Sequence, residues 1–371
     1  MTGAFPIAPR PGVLEIEPYK GGESTLEGRD DVIKLSSNEG ALGPSPQAVA
    51  AIKAATANAG RYPDGHCTAL RAAIGARFGL DPARIVCGAG SDEILGLLAR
   101  AYAGEGDEVL YSAHGFAMYP ICAQAVGAKP VKVPETDLTA DVDALIARAG
   151  NRTRLLYIAN PNNPTGTYLD KDALRCLRAG LPEGVVLVID AAYAEFVTEA
   201  DYEAGAALVD ETANTIMTRT FSKIFGLGNL RLGWAYGPPH MIDVLNRLRM
   251  PFNVSGIAQA AGIAALADTG HMEIAIAHNS RERARLAAGL AAAGVVVPAG
   301  VGNFVLARLP EGADQAQAAD AYLRGRGIIV RRMGGYGLPD SLRITVGLGP
   351  EMDAVIAAMS DFMAEQGVGN G

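Results

Sequence analysis

Short apolar runs alternate with longer alanine-rich segments of helical spacing over about 190 residues, and this alternation restricts the possible folds most. The runs at 154–158 and 185–189 are apolar without period-two alternation, which is typical of strands covered on both faces. Alternating strands and helices favour a mainly parallel sheet between helical layers. We therefore expect an α/β protein: a large three-layer domain with a mainly parallel sheet, a smaller α+β C-terminal domain and an extended N-terminal arm.

The predicted strands of the large domain lie at residues 84–87, 108–111, 130–133, 154–159, 185–190, 215–219 and 232–236. Its predicted helices lie at residues 47–59, 68–78, 92–102, 118–126, 141–148 and 171–179. Beyond residue 249 the pattern changes to two helices, four short strands and a closing helix, at residues 256–266, 272–293, 295–297, 304–307, 328–330, 342–346 and 352–364. This change predicts three parts: an arm that packs with the small domain, a large domain and a small domain, at residues 1–40, 41–250 and 251–371.

Charge and composition exclude several function classes. A net charge of −8 provides no broad basic field for nucleic acid or an anionic membrane, and suits a small anionic ligand better. No stretch approaches the roughly 18 uncharged apolar residues that span a bilayer, and residues 1–20 lack the core of a secretory signal. The cysteines form no CxxC pair, and no HExxH spacing links the histidines, so we expect no metal. These features predict a cytoplasmic protein.

Lys223 follows a predicted strand, and Thr220, Ser222 and Arg231 lie close to it in sequence. An amine at this place can form a Schiff base with an aldehyde, while the hydroxyls and the guanidinium hold a phosphate. Pyridoxal phosphate is the common cofactor that presents both groups. Apolar flanking residues would lower the pKa of the amine by desolvation, whereas an ordinary surface lysine is the alternative. Arg231 precedes an apolar strand, so we expect it to be buried with an anion partner, and a surface charge is the alternative.

Other polar residues follow strand ends, where open α/β sheets bind ligands. Asp190 could hold a pyridine nitrogen protonated, with a helix cap as the alternative. The Asn-Pro-Asn-Asn-Pro-Thr-Gly turn at 160–166 could aim Asn163 at a ligand, although such turns are usually only structural. Tyr193 could reach the 3′ oxygen of the cofactor or be ordinary packing.

The Gly-Ala-Gly-Ser-Asp-Glu turn at 88–93 opens a predicted helix whose first amides attract phosphate. Because position 93 is Glu, the dinucleotide fingerprint GxGxxG is absent, and the turn also lacks the lysine of a P-loop. A capped helix start is the alternative.

Taken together, these segments resemble the fold-type I pyridoxal-phosphate aminotransferases over nearly the whole chain, in the order and approximate spacing of that family. Within the family the chain is most similar to the members that act on histidinol phosphate. The segments that carry this second resemblance lie at residues 35–40, 43–46, 61–64, 90–93 and 342–347.

The resemblance implies roles for individual residues. Lys223 would bind pyridoxal phosphate covalently and move the proton, Asp190 would pair with the pyridinium, and Asn163 and Tyr193 would contact the 3′ oxygen. Phe116 would stack on the ring. The phosphate would be bound by the turn and hydroxyl residues, by one arginine and by a tyrosine from a second subunit, namely Gly90, Ser91, Asp92, Thr220, Ser222, Arg231 and Tyr62. The resemblance thus implies a homodimer with shared active sites.

The resemblance also implies a set of substrate-binding residues. Arg343 and Arg331 match the family's two anion-binding arginines, Tyr19 matches the arm residue that closes over the phosphate, and Asn38 lies in a matching segment. Planar guanidinium groups bind carboxylate and phosphate alike. The family commonly has Pro-Thr-Tyr before the helix, but this chain has His-Gly-Phe at 114–116, so one phenol contact is lost.

The implied reaction is a transamination of histidine biosynthesis, which exchanges histidinol phosphate and imidazole acetol phosphate with 2-oxoglutarate and glutamate. An aromatic aminotransferase for tyrosine and phenylalanine is the first alternative. A threonine-phosphate decarboxylase on the same scaffold is the second, and a noncatalytic ligand-binding module is the third.

Overall fold

A computed structural model gives the fold of residue 7, residues 9–10 and residues 12–368. The other residues of the predicted arm and small domain, at 1–6, 8, 11 and 369–371, lie outside the described part. The strands are β1 (Ile33–Lys34), β2 (Ile85–Gly88), β3 (Glu108–Ser112), β4 (Lys129–Val133), β5 (Glu135–Thr136), β6 (Thr139–Ala140), β7 (Thr153–Ala159), β8 (Val186–Asp190), β9 (Thr215–Thr220), β10 (Gly233–Tyr236), β11 (Phe304–Arg308), β12 (Ile328–Ile329), β13 (Arg331–Arg332) and β14 (Ser341–Thr345). The helices are α1 (Pro46–Ala55), α2 (Thr68–Phe78), α3 (Ser91–Tyr102), α4 (Met118–Ala125), α5 (Val142–Arg148), α6 (Lys171–Gly180), α7 (Ala206–Glu211), α8 (Pro239–Leu248), α9 (Gly256–Ala267), α10 (Thr269–Ala292), α11 (Ala313–Gly325) and α12 (Gly349–Val368).

Seven strands form the central sheet, in the order β2-β10-β9-β8-β7-β3-β4. Strand β10 runs antiparallel to both of its neighbours, and the strands from β9 to β4 run parallel to one another. The sheet is therefore mainly parallel, as predicted.

Strand β8 shows why its sequence lacks alternation. Val186 and Val188 pack into a core with residues of α3, α4 and α8, whereas Leu187 and Ile189 pack into another core with residues of α5 and α6. Both faces of the strand are covered, so every side chain is buried and apolar until Asp190. The sheet thus lies between two helical layers.

A second sheet has the order β11-β14-β13 and is antiparallel throughout. Apolar side chains of this sheet pack with residues of α10, α11 and α12 in a core of their own. Near the start of the chain, β1 pairs in parallel with β12, joining Ile33 to Ile328 and Lys34 to Ile329. The boundaries at residues 40 and 250 stay a prediction.

The structure corrects the prediction in a few places. The predicted strand at 295–297 is not formed, because only one isolated bridge joins Val296 to Arg308. Helices α7, α8 and α11 and the two-residue strands β1, β5, β6 and β13 were not predicted. In the described part of the chain, no helix is both long and apolar enough to cross a membrane.

Candidate active site

A cavity of about 270 Å³ opens where the central sheet, the second sheet and the start of the chain meet. Most of the predicted site residues line it, namely Tyr19, Asn38, Ser91, Asp92, Phe116, Asn163, Asp190, Tyr193, Thr220, Ser222, Lys223, Arg231, Arg331 and Arg343. Their positions in sequence range from 19 to 343, so the fold brings together groups that are far apart in the chain.

Lys223 lies just after the carboxyl end of β9, between the buried residues Phe221 and Ile224. Its Nζ donates a hydrogen bond of 3.1 Å to the carbonyl oxygen of Ser37 and lies 5.6 Å from the centre of the Tyr193 ring. Burial, with the nearby positive charge of Arg343, lowers the pKa of the Lys223 amine to about 8. A large share of the amine is therefore neutral, and nucleophilic, near pH 8.

Asp190 ends β8 and is 5% exposed. The Tyr119 hydroxyl donates to its Oδ2 at 2.9 Å, and the Thr218 hydroxyl donates to its Oδ1 at 3.1 Å. Burial raises the pKa of the carboxyl to about 6, while the two hydrogen bonds act in the opposite direction. A cationic ligand group beside this carboxylate would lower its pKa from this raised value.

Arg343 in β14 is 5% exposed and approaches the cavity from the second sheet. Its Nη1 donates to Asn163 Oδ1 at 2.6 Å and its Nη2 donates to the Ser36 carbonyl oxygen at 2.7 Å, whereas its buried Nε has no hydrogen-bond partner among the described residues. Burial lowers the pKa of the guanidinium. Because Asn163 accepts from Arg343 through its oxygen, its amide nitrogen can serve a ligand as a donor.

Asn38 and Tyr193 form a second hydrogen-bonded pair at the cavity. Asn38 Nδ2 donates to the Tyr193 hydroxyl at 2.9 Å, and Asn38 Oδ1 accepts from Thr345 at 3.1 Å. The Tyr193 ring packs edge-on against Phe304 of β11, and burial raises the pKa of its phenol. These contacts fix the Tyr193 hydroxyl at the cavity wall.

One part of the cavity wall is suited to an anion. Helix α3 begins there, and no side chain caps its first amides at Gly90, although Glu93 accepts from the Ala89 amide. Arg231 pairs with Asp92 at 3.0 Å, and the side chains of Thr220 and Ser222 lie at the same cavity. A helix start, a guanidinium and two hydroxyls together attract phosphate.

Arg231 differs from the expectation that it would be buried, because its side chain is 50% exposed. Its backbone has a φ of 52°, and its Nη1 donates to the Gly228 carbonyl oxygen. Gly90 does not line the cavity itself, but a Cβ atom there would lie 2.4 Å from Arg231 Nη2. Gly90 therefore gives the guanidinium space to reach the start of α3.

Four further side chains complete the cavity lining: Arg331 of β13, Tyr19 near the start of the chain, Phe116 just before α4 and Tyr336 after β13. Arg331 Nη2 donates to the Lys20 carbonyl oxygen at 2.5 Å, and the Tyr19 and Phe116 rings meet edge-on at 6.2 Å. Tyr336, which sequence reasoning missed, also lines the cavity, and burial raises the pKa of its phenol to about 12. Its backbone oxygen lies 2.7 Å from His114 Nδ1.

Tyr62 stands apart from the other predicted residues. Its side chain is 84% exposed and stacks on Phe252 at 4.7 Å in a separate surface groove. Within one chain the structure therefore does not bring Tyr62 to the cavity. Its predicted role requires donation from a second subunit and stays a prediction.

Sequence reasoning also missed Tyr119 and Thr218, which hold Asp190. Tyr119 lies three residues after Phe116 on α4 and is fully buried, so its sequence pattern is that of a core aromatic residue. Thr218 lies two residues after Ile216 in β9 and has the same burial. Thr218 is one of three threonines in β9, so its hydroxyl gave no distinct signal in the sequence.

Comparison with known proteins agrees with the fold and the cavity. The family model described as aminotransferase class I and II matches residues 30–359, so the chain belongs to this family of enzymes. The histidinol-phosphate aminotransferase of Rhodospirillum rubrum is 58% identical over 99% of this chain and 100% of its own length. That of Dinoroseobacter shibae is 54% identical over 97% and 99%.

A solved structure is similar as well. The crystal structure of histidinol-phosphate aminotransferase from Sinorhizobium meliloti in complex with pyridoxal-5'-phosphate has a TM-score of 0.87 and 30% identity, and the match covers 91% of this chain and 93% of that one. The predicted fold class and the resemblance to the fold-type I aminotransferases that act on histidinol phosphate are thereby confirmed.

Proposed function

We propose that the protein is a histidinol-phosphate transaminase that uses pyridoxal phosphate and serves histidine biosynthesis. One observation carries the proposal: a lysine of lowered amine pKa, a buried carboxylate and an anion-binding helix start all line one cavity at the ends of adjacent strands. The names and near-complete coverage of the relatives support the choice of substrate.

The residues present fit the cofactor. Lys223 offers an amine, Asp190 a carboxylate, and Ser91, Thr220 and Ser222 a donor set for a phosphate. Pyridoxal phosphate, when bound, supplies an aldehyde for the amine and a ring that accepts electrons. The hydroxyl of Tyr193 and the amide of Asn163 would hold its 3′ oxygen, and Phe116 would cover its ring.

Lys223 would move the substrate proton. Its Nζ is held at the cavity by the Ser37 carbonyl oxygen, and the lowered pKa leaves it able to take up a proton near neutral pH and to return it. Tyr193 lies beside the amine and would orient it, since the Tyr193 ring is 5.6 Å from Nζ. Desolvation thus prepares the amine for both nucleophilic attack and proton transfer.

Asp190 would keep the pyridine nitrogen protonated. Its carboxylate is largely ionised at neutral pH, because its pKa of about 6 lies below 7 even without a cationic partner. Two hydroxyl donors hold the carboxylate oxygens, so its orientation is fixed before the cofactor binds. A protonated ring nitrogen favours electron withdrawal from the substrate Cα–H bond.

Arg343 and Arg331 would bind the anion of each substrate, a carboxylate for glutamate and a phosphate for histidinol phosphate. Within the part of the chain that the structure describes, the buried Nε of Arg343 has no hydrogen-bond partner, which leaves one donor of its planar fork for a ligand oxygen. Tyr19, 48% exposed at the rim, would close over the phosphate. Asn38 would act through Tyr193, to which it donates.

A homodimer with shared active sites belongs to the same proposal. The exposed Tyr62 and Phe252, which stack on each other beside an apolar groove, support it, because large exposed apolar patches are typical of interfaces. We also propose a cytoplasmic location. The free cysteines, of which Cys67, Cys87 and Cys122 are buried, are consistent with a reducing compartment.

Steady-state kinetics test the substrate. We expect kcat/KM for histidinol phosphate to exceed that for phenylalanine and for tyrosine, with 2-oxoglutarate as acceptor. A preference of tenfold or more for the aromatic amino acids would defeat the assignment and select the aromatic aminotransferase. Release of carbon dioxide without formation of glutamate would select the decarboxylase instead.

A further inference from the structure

Tyr119 is a buried residue of helix α4 that forms the shorter of the two side-chain hydrogen bonds to the Asp190 carboxylate. Its hydroxyl donates to Asp190 Oδ2 at 2.9 Å, and the side chain is fully buried. Tyr119 does not line the cavity, so its effect on a ligand must pass through the lining residues that it contacts, Asp190 and Phe116.

The Tyr119 ring is fixed on several sides. It stacks on Tyr157 at 4.9 Å with an interplanar angle of 4°, and it meets Phe116 edge-on at 5.9 Å and Tyr111 edge-on at 6.4 Å. Because Phe116 lines the cavity, the same ring also supports the residue predicted to cover the cofactor. A ring held in this way directs its hydroxyl to one carboxylate oxygen.

We propose that Tyr119 is a positioning residue for the transamination: its hydroxyl keeps the Asp190 carboxylate ionised and aims it at the ring nitrogen of the cofactor. This inference rests on the proposed function. The Thr218 hydroxyl holds the other oxygen, so the two donors fix the plane of the carboxylate between α4 and β9. A donor to the ionised form favours that form over the neutral acid.

Other charged and titratable groups also act on Asp190. Lys223 lowers the pKa of the carboxyl, and Asp92 raises it. The phenols that sense the charge of Asp190 besides Tyr119 are those of Tyr157, Tyr193 and Tyr202. Within the described residues, Tyr119 is the one phenol of these four that donates a hydrogen bond to the Asp190 carboxylate.

The experiment compares Tyr119→Phe with Tyr157→Phe. Tyr157 is a matched control, because it is equally buried, stacks on Tyr119 and donates its hydroxyl to the Leu95 carbonyl oxygen at 2.8 Å instead of to Asp190. In cofactor-free protein labelled with ¹³C-aspartate, the Asp190 carboxyl resonance, assigned by its loss in Asp190→Asn, is titrated between pH 4 and 9. This readout needs neither cofactor nor activity.

We expect Tyr119→Phe to raise the Asp190 pKa by about 1 pH unit and Tyr157→Phe to leave it unchanged, since a donor to an ionised group is lost only in the first variant. With cofactor and histidinol phosphate, the acid limb of the kcat/KM profile should move upward in Tyr119→Phe alone. Equal titration curves in the wild type and Tyr119→Phe, or equal shifts in both variants, would overturn the proposal.

A second variant keeps the test decisive if Tyr119→Phe does not fold. Incorporation of 3-fluorotyrosine at position 119 retains the ring and makes the phenol a stronger donor, so the Asp190 pKa should fall instead of rise. A rise or no change would contradict the proposal. Absence of wild-type transamination would refute the proposed function separately, because the titration of Asp190 does not depend on it.

Discussion

Gly233 in β10 passes directly beneath the start of α3, and a methyl group added there would test how tightly the anion site is built. A Cβ atom at Gly233 would lie 2.2 Å from the Ser91 amide nitrogen and 2.6 Å from the Gly90 carbonyl carbon. Ordinary contact begins near 3.4 Å, and both atoms are backbone, so no side chain can rotate away. Gly233→Ala must therefore displace the Gly90–Ser91 turn by about 1 Å or distort the sheet.

Overpacking of this kind costs about 1 to 3 kcal/mol, and about 1.4 kcal/mol corresponds to tenfold in affinity. We expect Gly233→Ala to lower the free energy of unfolding of the cofactor-free protein by that amount in urea. We also expect it to weaken pyridoxal phosphate binding, followed by fluorescence, at least tenfold, because the Ser91 amide is displaced.

Gly96→Ala, in helix α3, is the matched control. A Cβ atom at Gly96 would have no neighbour within 4 Å, so the added methyl should raise the free energy of unfolding by about 0.5 to 1 kcal/mol through helix propensity alone. It should leave cofactor affinity unchanged. A Gly233→Ala protein with wild-type stability and wild-type affinity would refute the reasoning.

Three further predictions concern the cavity. In Lys223→Ala, borohydride reduction should leave no cofactor covalently attached to the protein, which mass spectrometry checks, and turnover should fall by several orders of magnitude, which steady-state kinetics checks. The control variant Lys129→Ala, on β4, should behave as wild type in both measurements. Because burial lowers the Lys223 amine pKa to about 8, the rate of covalent cofactor uptake should rise with pH and level off above about pH 8. A rate that does not depend on pH between 6 and 9 would contradict the lowered pKa of the amine. Arg343→Lys should raise KM for glutamate and for histidinol phosphate about tenfold or more, because an ammonium cannot reproduce the planar guanidinium that holds Asn163 and the Ser36 carbonyl oxygen. An unchanged KM for both substrates would exclude the anion-binding role of Arg343.

The sequence predicted the central sheet well because its strands obey a local rule. A strand buried on both faces must be apolar throughout, so β8 could be located from its composition to within one residue. Helix α2 was predicted with its observed ends, since Gly79 in a left-handed conformation stops it. Where pairing is minimal the rule fails: the predicted strand at 295–297 has one bridging partner and no ladder.

The candidate site was predictable in its residues and not in their environments. Lys223 and Asp190 follow strand ends, and strand ends meet at one edge of a parallel sheet. Tyr119 could not be found in this way, because its contact with Asp190 depends on how α4 packs against the sheet. The prediction that Arg231 is buried was wrong, because its side chain is half exposed. The prediction relied on the apolar strand that follows Arg231, and that strand does not indicate the left-handed backbone conformation at Arg231 itself.

The parallel pairing of Ile33–Lys34 with Ile328–Ile329 has a consequence for biosynthesis. Because β12 lies at residues 328–329 of 371, β1 has no strand to pair with until about nine-tenths of the polypeptide has left the ribosome. The hydrogen bonds from Thr345 to Asn38 and from Arg343 to the Ser36 carbonyl oxygen would form only after that point. The complete cavity would therefore form, and bind pyridoxal phosphate, only after translation is nearly finished.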